Sequence, residues 1–110
     1  MTKDEALQVI NLALQRLSDP NKWTKEGEFG QACSPDQEKF TMGCAIELAQ
    51  IEVMGEHKSR NLVMRKVRGN IRRYFLWRHG WHPIYSFNKH VDTTHENLMF
   101  LLIKVRESLE

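Results

Sequence analysis

The chain has 110 residues, of which 41% are hydrophobic and 27% are charged, and this balance predicts one helical domain over residues 1–110. No apolar run approaches the roughly 20 residues that span a bilayer, and the N-terminus lacks the pattern of a secretory signal. We therefore expect a cytoplasmic protein with both cysteines reduced. A chain of this length buries enough apolar surface to fold without disulfides or a metal ion, and no cofactor is expected.

The net charge of +2 hides an uneven distribution of charge along the chain. Residues 1–56 carry a net charge of −5, residues 57–91 carry +9 with no acidic side chain, and the residues from Asp92 onward carry −2. Segregation of this kind points to a partner of opposite charge.

The first predicted helix spans about residues 3–17. Thr2 and Glu5 have the spacing of a capping box, in which each side chain accepts a hydrogen bond from a free amide of the first turn. An apolar stripe follows at helical spacing, and Ser18-Asp19-Pro20 ends it. Residues 18–34 have no periodicity and predict a long ordered loop, held to the core by two aromatic side chains, Trp23 and Phe29.

The second predicted helix begins at Ser34-Pro35-Asp36-Gln37. This segment combines a capping serine, a proline at the first helical position and a glutamine three residues after the cap. Cys44 fits the apolar stripe of this helix as a small core residue. Gly55 is expected to end the helix as a left-handed cap.

The third predicted helix runs from about Ser59 to Trp77 and has two contrasting faces. At 100° per residue, the apolar side chains fall on one side of the helix and the basic side chains fall on the other. We call the second group the basic face; it consists of Arg65, Lys66, Arg68, Arg72 and Arg73.

The last predicted helix follows an irregular stretch over residues 79–92 and has Thr93 and Glu96 at capping-box spacing. Its apolar surface is wide enough for a central helix or for a homodimer contact, so the sequence allows either a monomer or a homodimer. Together the elements predict an all-α fold, a compact bundle of about four helices with a long ordered loop between the first and second. The first, second and last helices surround the core, and the basic face meets solvent.

The basic face is the main candidate for a functional surface. Arginine forks and exposed tryptophans commonly anchor protein interfaces, so the leading hypothesis is a non-enzymatic protein that binds an acidic protein surface. Sequence-tolerant binding of nucleic-acid phosphates is the alternative, and the pI of about 8.6 lies below that of dedicated nucleic-acid domains. A third possibility is that the face pairs with the acidic first half of the same chain. The predicted contacts are Arg65, Lys66, Arg68, Arg72, Arg73, Trp77, Arg78 and Trp81.

Histidines and cysteines offer weaker candidates for a small metal-binding protein or enzyme. The spacing of His79 and His82 permits two imidazoles on one zinc ion, but the sequence has no Cys-x-x-Cys pair to complete the site. Cys33 precedes a predicted helix, as some nucleophilic thiols do, but has no local catalytic signature. We therefore predict neither a metal site nor catalysis. Hydrogen-bonded loop residues are the expected role of the four clustered histidines, His79, His82, His90 and His95.

The C-terminal part of the chain suggests a family. Ser86-Phe87-Asn88, then Thr94-His95-Glu96 and an apolar run, resemble the closing motif of an uncharacterised family of small helical proteins from bacteria and their phages. Trp23 and Gly43-Cys44-Ala45 are similar to further features of that family. We expect Asn88 to turn the chain and bond to backbone before the last helix, which Thr93 or Thr94 caps. The resemblance implies a four-helix domain, a phage or mobile-element origin and, by analogy, inhibition of a host protein.

Overall fold

A computed structural model describes residues 1–110 as five α-helices and two short 3-10 turns, with no β-strand. The all-α prediction is confirmed, with five helices in place of about four. The α-helices are α1 (Lys3–Leu17), α2 (Met42–Met54), α3 (Leu62–Tyr74), α4 (Pro83–Lys89) and α5 (His95–Leu109); the 3-10 turns are Pro20–Lys22 and Leu76–Arg78.

The core lies where α1 packs against α2 and α5, and where α3 packs against α5. Each of these helices contributes fully buried aliphatic side chains, as its apolar stripe predicts. The largest of them include Ile10, Leu17, Met42, Ile46, Ile71, Leu98, Leu101 and Leu102. On α5 the apolar surface extends beyond the core, because Phe100 and Ile103 remain 42% and 37% exposed. No helix has the length and apolar character needed to cross a membrane.

The start of α1 forms as the sequence predicts. The side-chain oxygen of Thr2 accepts a hydrogen bond from the Glu5 amide at 3.1 Å, and the Glu5 carboxylate accepts one from the Thr2 amide at 2.8 Å. Two amide groups that have no partner within the helix are thereby satisfied.

The cap of α5 lies one residue later than the Thr93 and Glu96 spacing predicted. Thr94 and Asn97 form the capping box, with bonds of 3.1 Å in both directions. Thr93 is buried instead, and its hydroxyl accepts a hydrogen bond from Arg78. Asparagine serves at the third helical position because its side-chain oxygen reaches back to the cap amide, as that of glutamine does in the usual motif.

The predicted start of α2 at Ser34 is wrong. Ser34 and Gln37 do make the hydrogen bonds of a cap, but they close only a single turn. The chain then becomes extended because Phe40 pairs with the loop after α1, donating to Lys22 O at 2.7 Å and accepting from the Thr24 amide at 3.0 Å. The helix begins only after this pairing, at Met42, where Thr41 caps it.

Two other segments differ from expectation. α3 spans Leu62–Tyr74, shorter than the predicted 59–77, and is followed by a separate 3-10 turn. The stretch over 79–92, predicted to be irregular, contains α4, whose first helical residue is Pro83. Gly80 allows this reversal between the 3-10 turn and α4, because it adopts a φ of +57° and lies against Ser86 with no room for a Cβ atom.

Asn88 joins three parts of the fold. It lies within α4, so the expectation that it turns the chain before the last helix is wrong, whereas its bonds to backbone are confirmed. Its buried side-chain oxygen accepts from Trp23 Nε1 at 2.7 Å and from the Met42 amide at 3.0 Å, and its Nδ2 donates to Thr24 O at 3.2 Å. α4 is thereby tied to the loop after α1 and to the first turn of α2.

Of the two aromatic residues expected to hold this loop, only Trp23 packs against the core. Phe29 is 60% exposed and lies outside the core. Its ring instead stacks on His82, with the ring centroids 3.8 Å apart, and meets Tyr85 edge-on. Phe29 therefore joins the loop to α4 at the surface.

Candidate functional site

The basic face lies on the outer side of α3, opposite the side chains that α3 buries. Arg65, Arg72 and Arg73 are exposed, and Lys66 and Arg68 are half-buried. Arg65, Arg68 and Arg72 follow one another at spacings of three and four residues, so they form a row along one flank of the helix. Lys66 and Arg73 occupy the other flank.

None of the five basic-face side chains forms an ion pair within the protein. The ion pairs of the chain join His57 to Glu47, Lys58 to Glu56, His90 to Asp92, Lys104 to Glu107, and Arg106 to Glu110. The hypothesis that the face pairs with the acidic first half of the same chain is therefore wrong. Three acidic residues of that half, Glu26, Glu28 and Glu47, share a groove with Arg65 and Arg68 but form no ion pair with them.

A buried glutamine fixes where α3 begins. The side-chain oxygen of Gln50, which is only 1% exposed, accepts from the Lys58 amide at 3.1 Å and from Asn61 Nδ2 at 2.7 Å. Asn61 in turn caps α3 by accepting from the Met64 amide at 3.0 Å. This chain of bonds sets the position of the first turn of α3, and with it that of the basic face, relative to α2.

Arg68 is the most constrained cation of the face. Its Nη1 donates to Ser59 O at 2.8 Å, which ties it to the loop before α3. Partial burial, followed by the positive charge of Arg60, lowers the pKa of Arg68 from its ordinary value. Like charges therefore lie close together at this end of the face, and Arg68 forms no ion pair with a carboxylate.

The three remaining predicted contacts lie beyond the end of α3. Trp77 and Trp81 are 71% and 97% exposed, so both indole rings are available to a partner. Arg78 points inward instead: its Nη1 donates to Asn97 Oδ1 at 2.9 Å and to Thr93 Oγ1 at 3.3 Å. The fold uses the Arg78 guanidinium internally and does not bring it to the basic face.

A groove with a volume of about 1000 Å³ runs beside the basic face. Arg65 and Arg68 line it from α3, Trp81 and Tyr85 lie on its α4 side, and Phe29 comes from the loop before α2. The groove therefore brings together two of the predicted cations and one of the predicted tryptophans. The sequence contained no signal for the groove, because it depends on α4 and on the fold of residues 24–41.

The groove also contains a disulfide between Cys33 and Cys44, so the expectation of two reduced cysteines is wrong. The extended segment before α2 folds the loop back over the first turn of that helix and places the two Cα atoms 5.5 Å apart. Cys44 has the burial predicted for a core residue, but it is a bridged cysteine. The two cysteines are 11 residues apart in the sequence, and this spacing did not predict their contact.

The four clustered histidines have separate environments. His82 stacks on Phe29, His90 accepts from the Asp92 amide at 3.1 Å, and His95 Nε2 lies 2.6 Å from Leu17 O. His79 lies at the end of the second 3-10 turn. The structure does not bring any of them into a cluster of metal-ligating side chains.

The fold and this surface together define a small all-α protein that exposes a helix face of unpaired cations beside a disulfide-containing groove. The chain belongs to a family of unknown function, DUF6197, whose model matches residues 1–106. The prediction of an uncharacterised family is thus confirmed. No curated protein and no solved structure matches the chain.

Proposed function

We propose that this protein binds an acidic protein surface through the basic face and catalyses no reaction. The observation that carries the proposal is that Arg65, Lys66, Arg68, Arg72 and Arg73 share one face and have no carboxylate partner in the chain. Five cations on a helix of 13 residues repel one another, and a partner's carboxylates relieve that repulsion.

The side-chain chemistry of the face suits carboxylates. Four of the five cations are arginines, whose planar forks bind a carboxylate through two parallel hydrogen bonds. Trp77 and Trp81 stand exposed just beyond the same helix, and tryptophan and arginine are the residue types enriched at the energetic centres of protein interfaces.

The charge on the rest of the molecule favours a protein partner over a nucleic acid. The whole chain carries a net charge of only +2, because residues 1–56 carry −5, so its long-range attraction for a long polyanion is weak. A local acidic patch on a protein needs only the charges of the basic face. The more specific idea that the partner is a host protein inhibited by a phage or mobile-element product stays a prediction.

The test compares the wild type with a face variant, Arg68→Glu/Arg72→Glu/Arg73→Glu. A matched control, Lys3→Glu/Lys22→Glu/Lys39→Glu, makes the same change in net charge at exposed sites away from α3. Each protein captures partners from an extract of the native host, and each captured protein is purified and titrated against all three. We expect an acidic protein whose Kd rises more than about tenfold with the face variant and stays unchanged with the control.

Two results contradict the proposal. One is that every captured protein binds the face variant as well as the wild type. The other is that a generic oligonucleotide binds the wild type at low salt, that its affinity falls steeply with added salt, and that it does not bind the face variant. This result would favour the nucleic-acid alternative. Far-UV circular dichroism on each variant verifies that the helices are retained.

A further inference from the structure

One wall of the groove holds four metal-ligating side chains that partner binding does not use. A sulfur atom of Cys33, a sulfur atom of Cys44 and a carboxylate oxygen of Glu47 all lie within 4.8 Å of one another. His57 adds an imidazole nitrogen, with its Nε2 atom 3.6 Å from Glu47 Oε1. All four residues line the groove. In the oxidised protein, the disulfide bond keeps both sulfur atoms from acting as thiolate ligands.

We propose that reduction of the Cys33–Cys44 disulfide converts this wall of the groove into a binding site for a zinc-class divalent cation. A dithiol reductant supplies two electrons and two protons, is itself oxidised to a disulfide, and leaves two cysteine thiols. When Zn²⁺ binds, the two thiols release their protons to solvent and two Zn–S bonds form. Glu47 and His57 complete a four-coordinate site of two sulfurs, one oxygen and one nitrogen.

The positions of the donors suit a tetrahedral ion. With Zn–N and Zn–O bonds of about 2.0–2.1 Å, neighbouring nitrogen and oxygen ligands lie about 3.3 Å apart, close to the 3.6 Å between His57 and Glu47. Two zinc-bound sulfurs lie about 3.8 Å apart, so the cysteine sulfurs separate when their covalent bond is broken. Cys33 lies on the loop before α2, so we expect it to make this movement, whereas Cys44 is held in the first turn of α2.

The backbone explains why these four residues meet. Cys44 and Glu47 are three positions apart on α2, so both side chains point to the same side of that helix. Gly55 ends α2 in the left-handed conformation, with a φ of +79°, and this turn brings His57 back beside Glu47. Gln50 then holds the same loop through the Lys58 amide.

The surrounding charges are compatible with a bound ion. Two thiolates and one carboxylate give the donor set a charge of −3, so a Zn²⁺ complex carries −1 with a neutral imidazole. Arg60 and Arg68 line the same groove and offset this charge. The first-turn position of Cys44 also stabilises its thiolate, because the amides at a helix N-terminus carry partial positive charge.

The experiment measures Zn²⁺ binding by the full chain in its two redox states. Protein reduced with a phosphine, which leaves no competing thiol, is titrated with Zn²⁺ against a chromophoric chelator, and oxidised protein is titrated alongside. We expect about one Zn²⁺ per reduced chain and none per oxidised chain. With Co²⁺ in place of Zn²⁺, the reduced protein gains the thiolate charge-transfer absorption and the visible bands of a tetrahedral site.

Three variants test the ligand set. Cys33→Ser/Cys44→Ser abolishes binding, and Glu47→Gln and His57→Gln each weaken it about tenfold or more while keeping both cysteines. Glu52→Gln, on the exposed side of the same helix, is the matched control and binds as the wild type does. Equal Zn²⁺ uptake by reduced and oxidised wild type overturns the proposal. So does undiminished binding by reduced Glu47→Gln and His57→Gln, since each of these variants keeps both cysteines and removes only the proposed oxygen or nitrogen ligand.

Discussion

Replacing Asn88 with alanine removes the side chain that joins α4, the loop after α1 and the start of α2. Its side-chain oxygen accepts from Trp23 Nε1 at 2.7 Å and from the Met42 amide at 3.0 Å, and its amide nitrogen donates to Thr24 O at 3.2 Å. Met42 is the first residue of α2 and is fully buried, so its amide has no partner within the helix and no access to water.

The cost of Asn88→Ala follows from these three bonds. Leaving the Met42 amide buried and unsatisfied costs about 1–3 kcal/mol, and each of the other two hydrogen bonds contributes about 0.5–1.5 kcal/mol. The expected fall in the free energy of unfolding is therefore about 4 kcal/mol. For a protein of this size, that corresponds to a loss of roughly 2 M in the urea midpoint.

Urea unfolding monitored by far-UV circular dichroism and by tryptophan fluorescence measures this change. Asn21→Ala is the control, since Asn21 is exposed and its side chain makes no hydrogen bond. Asn88→Asp keeps the accepting oxygen but buries a carboxylate and sets one of its oxygens against Thr24 O, so it too is expected to destabilise the protein. A loss below about 1 kcal/mol for Asn88→Ala would refute the reasoning, because it would mean that water or another group replaces Asn88.

Two further predictions concern how stability depends on redox state and on pH. Reducing the disulfide between Cys33 and Cys44 in metal-free buffer lowers the free energy of unfolding by about 3 kcal/mol, because the unfolded chain regains the freedom of the closed loop; an unchanged urea midpoint would contradict this. Hydrogen bonds from Thr2, above all from its backbone amide, lower the pKa of Glu5. The stability that Glu5 contributes is therefore present above the ordinary carboxyl pKa and is lost as the pH falls through the lowered pKa. The difference in stability between the wild type and Glu5→Ala should therefore shrink below about pH 4, and a difference that is constant down to pH 2 would argue against the capping role.

Local signals in the sequence were sufficient for α1 and for the two faces of α3. The Thr2 and Glu5 pair needs only residues within one turn, so the sequence alone identifies it. The separation of basic from apolar side chains on α3 likewise depends only on helical periodicity. The sequence did not show whether the basic side chains have acidic partners within the chain, because that depends on where residues 1–56 lie in space.

The segment before α2 shows how tertiary contacts override a local signal. Ser34-Pro35-Asp36-Gln37 has the composition of a helix start, and its capping hydrogen bonds do form. The helix does not continue because Phe40 pairs with the backbone on both sides of Trp23, a partner far away in the sequence. The same pairing brings the loop over α2 and gives Cys33 its contact with Cys44.

The sequence alone determined the charge pattern, with −5 over residues 1–56 and +9 over residues 57–91, and the concentration of basic side chains on one side of a helix. Only the tertiary structure decided that these cations have no internal partner, that Arg78 is used within the fold, and that two cysteines, Glu47 and His57 meet in one groove. The physical reason is distance along the chain. Caps and helix faces arise from neighbours within one or two turns, whereas ion pairs, the disulfide and the groove require segments that approach only when the whole core packs.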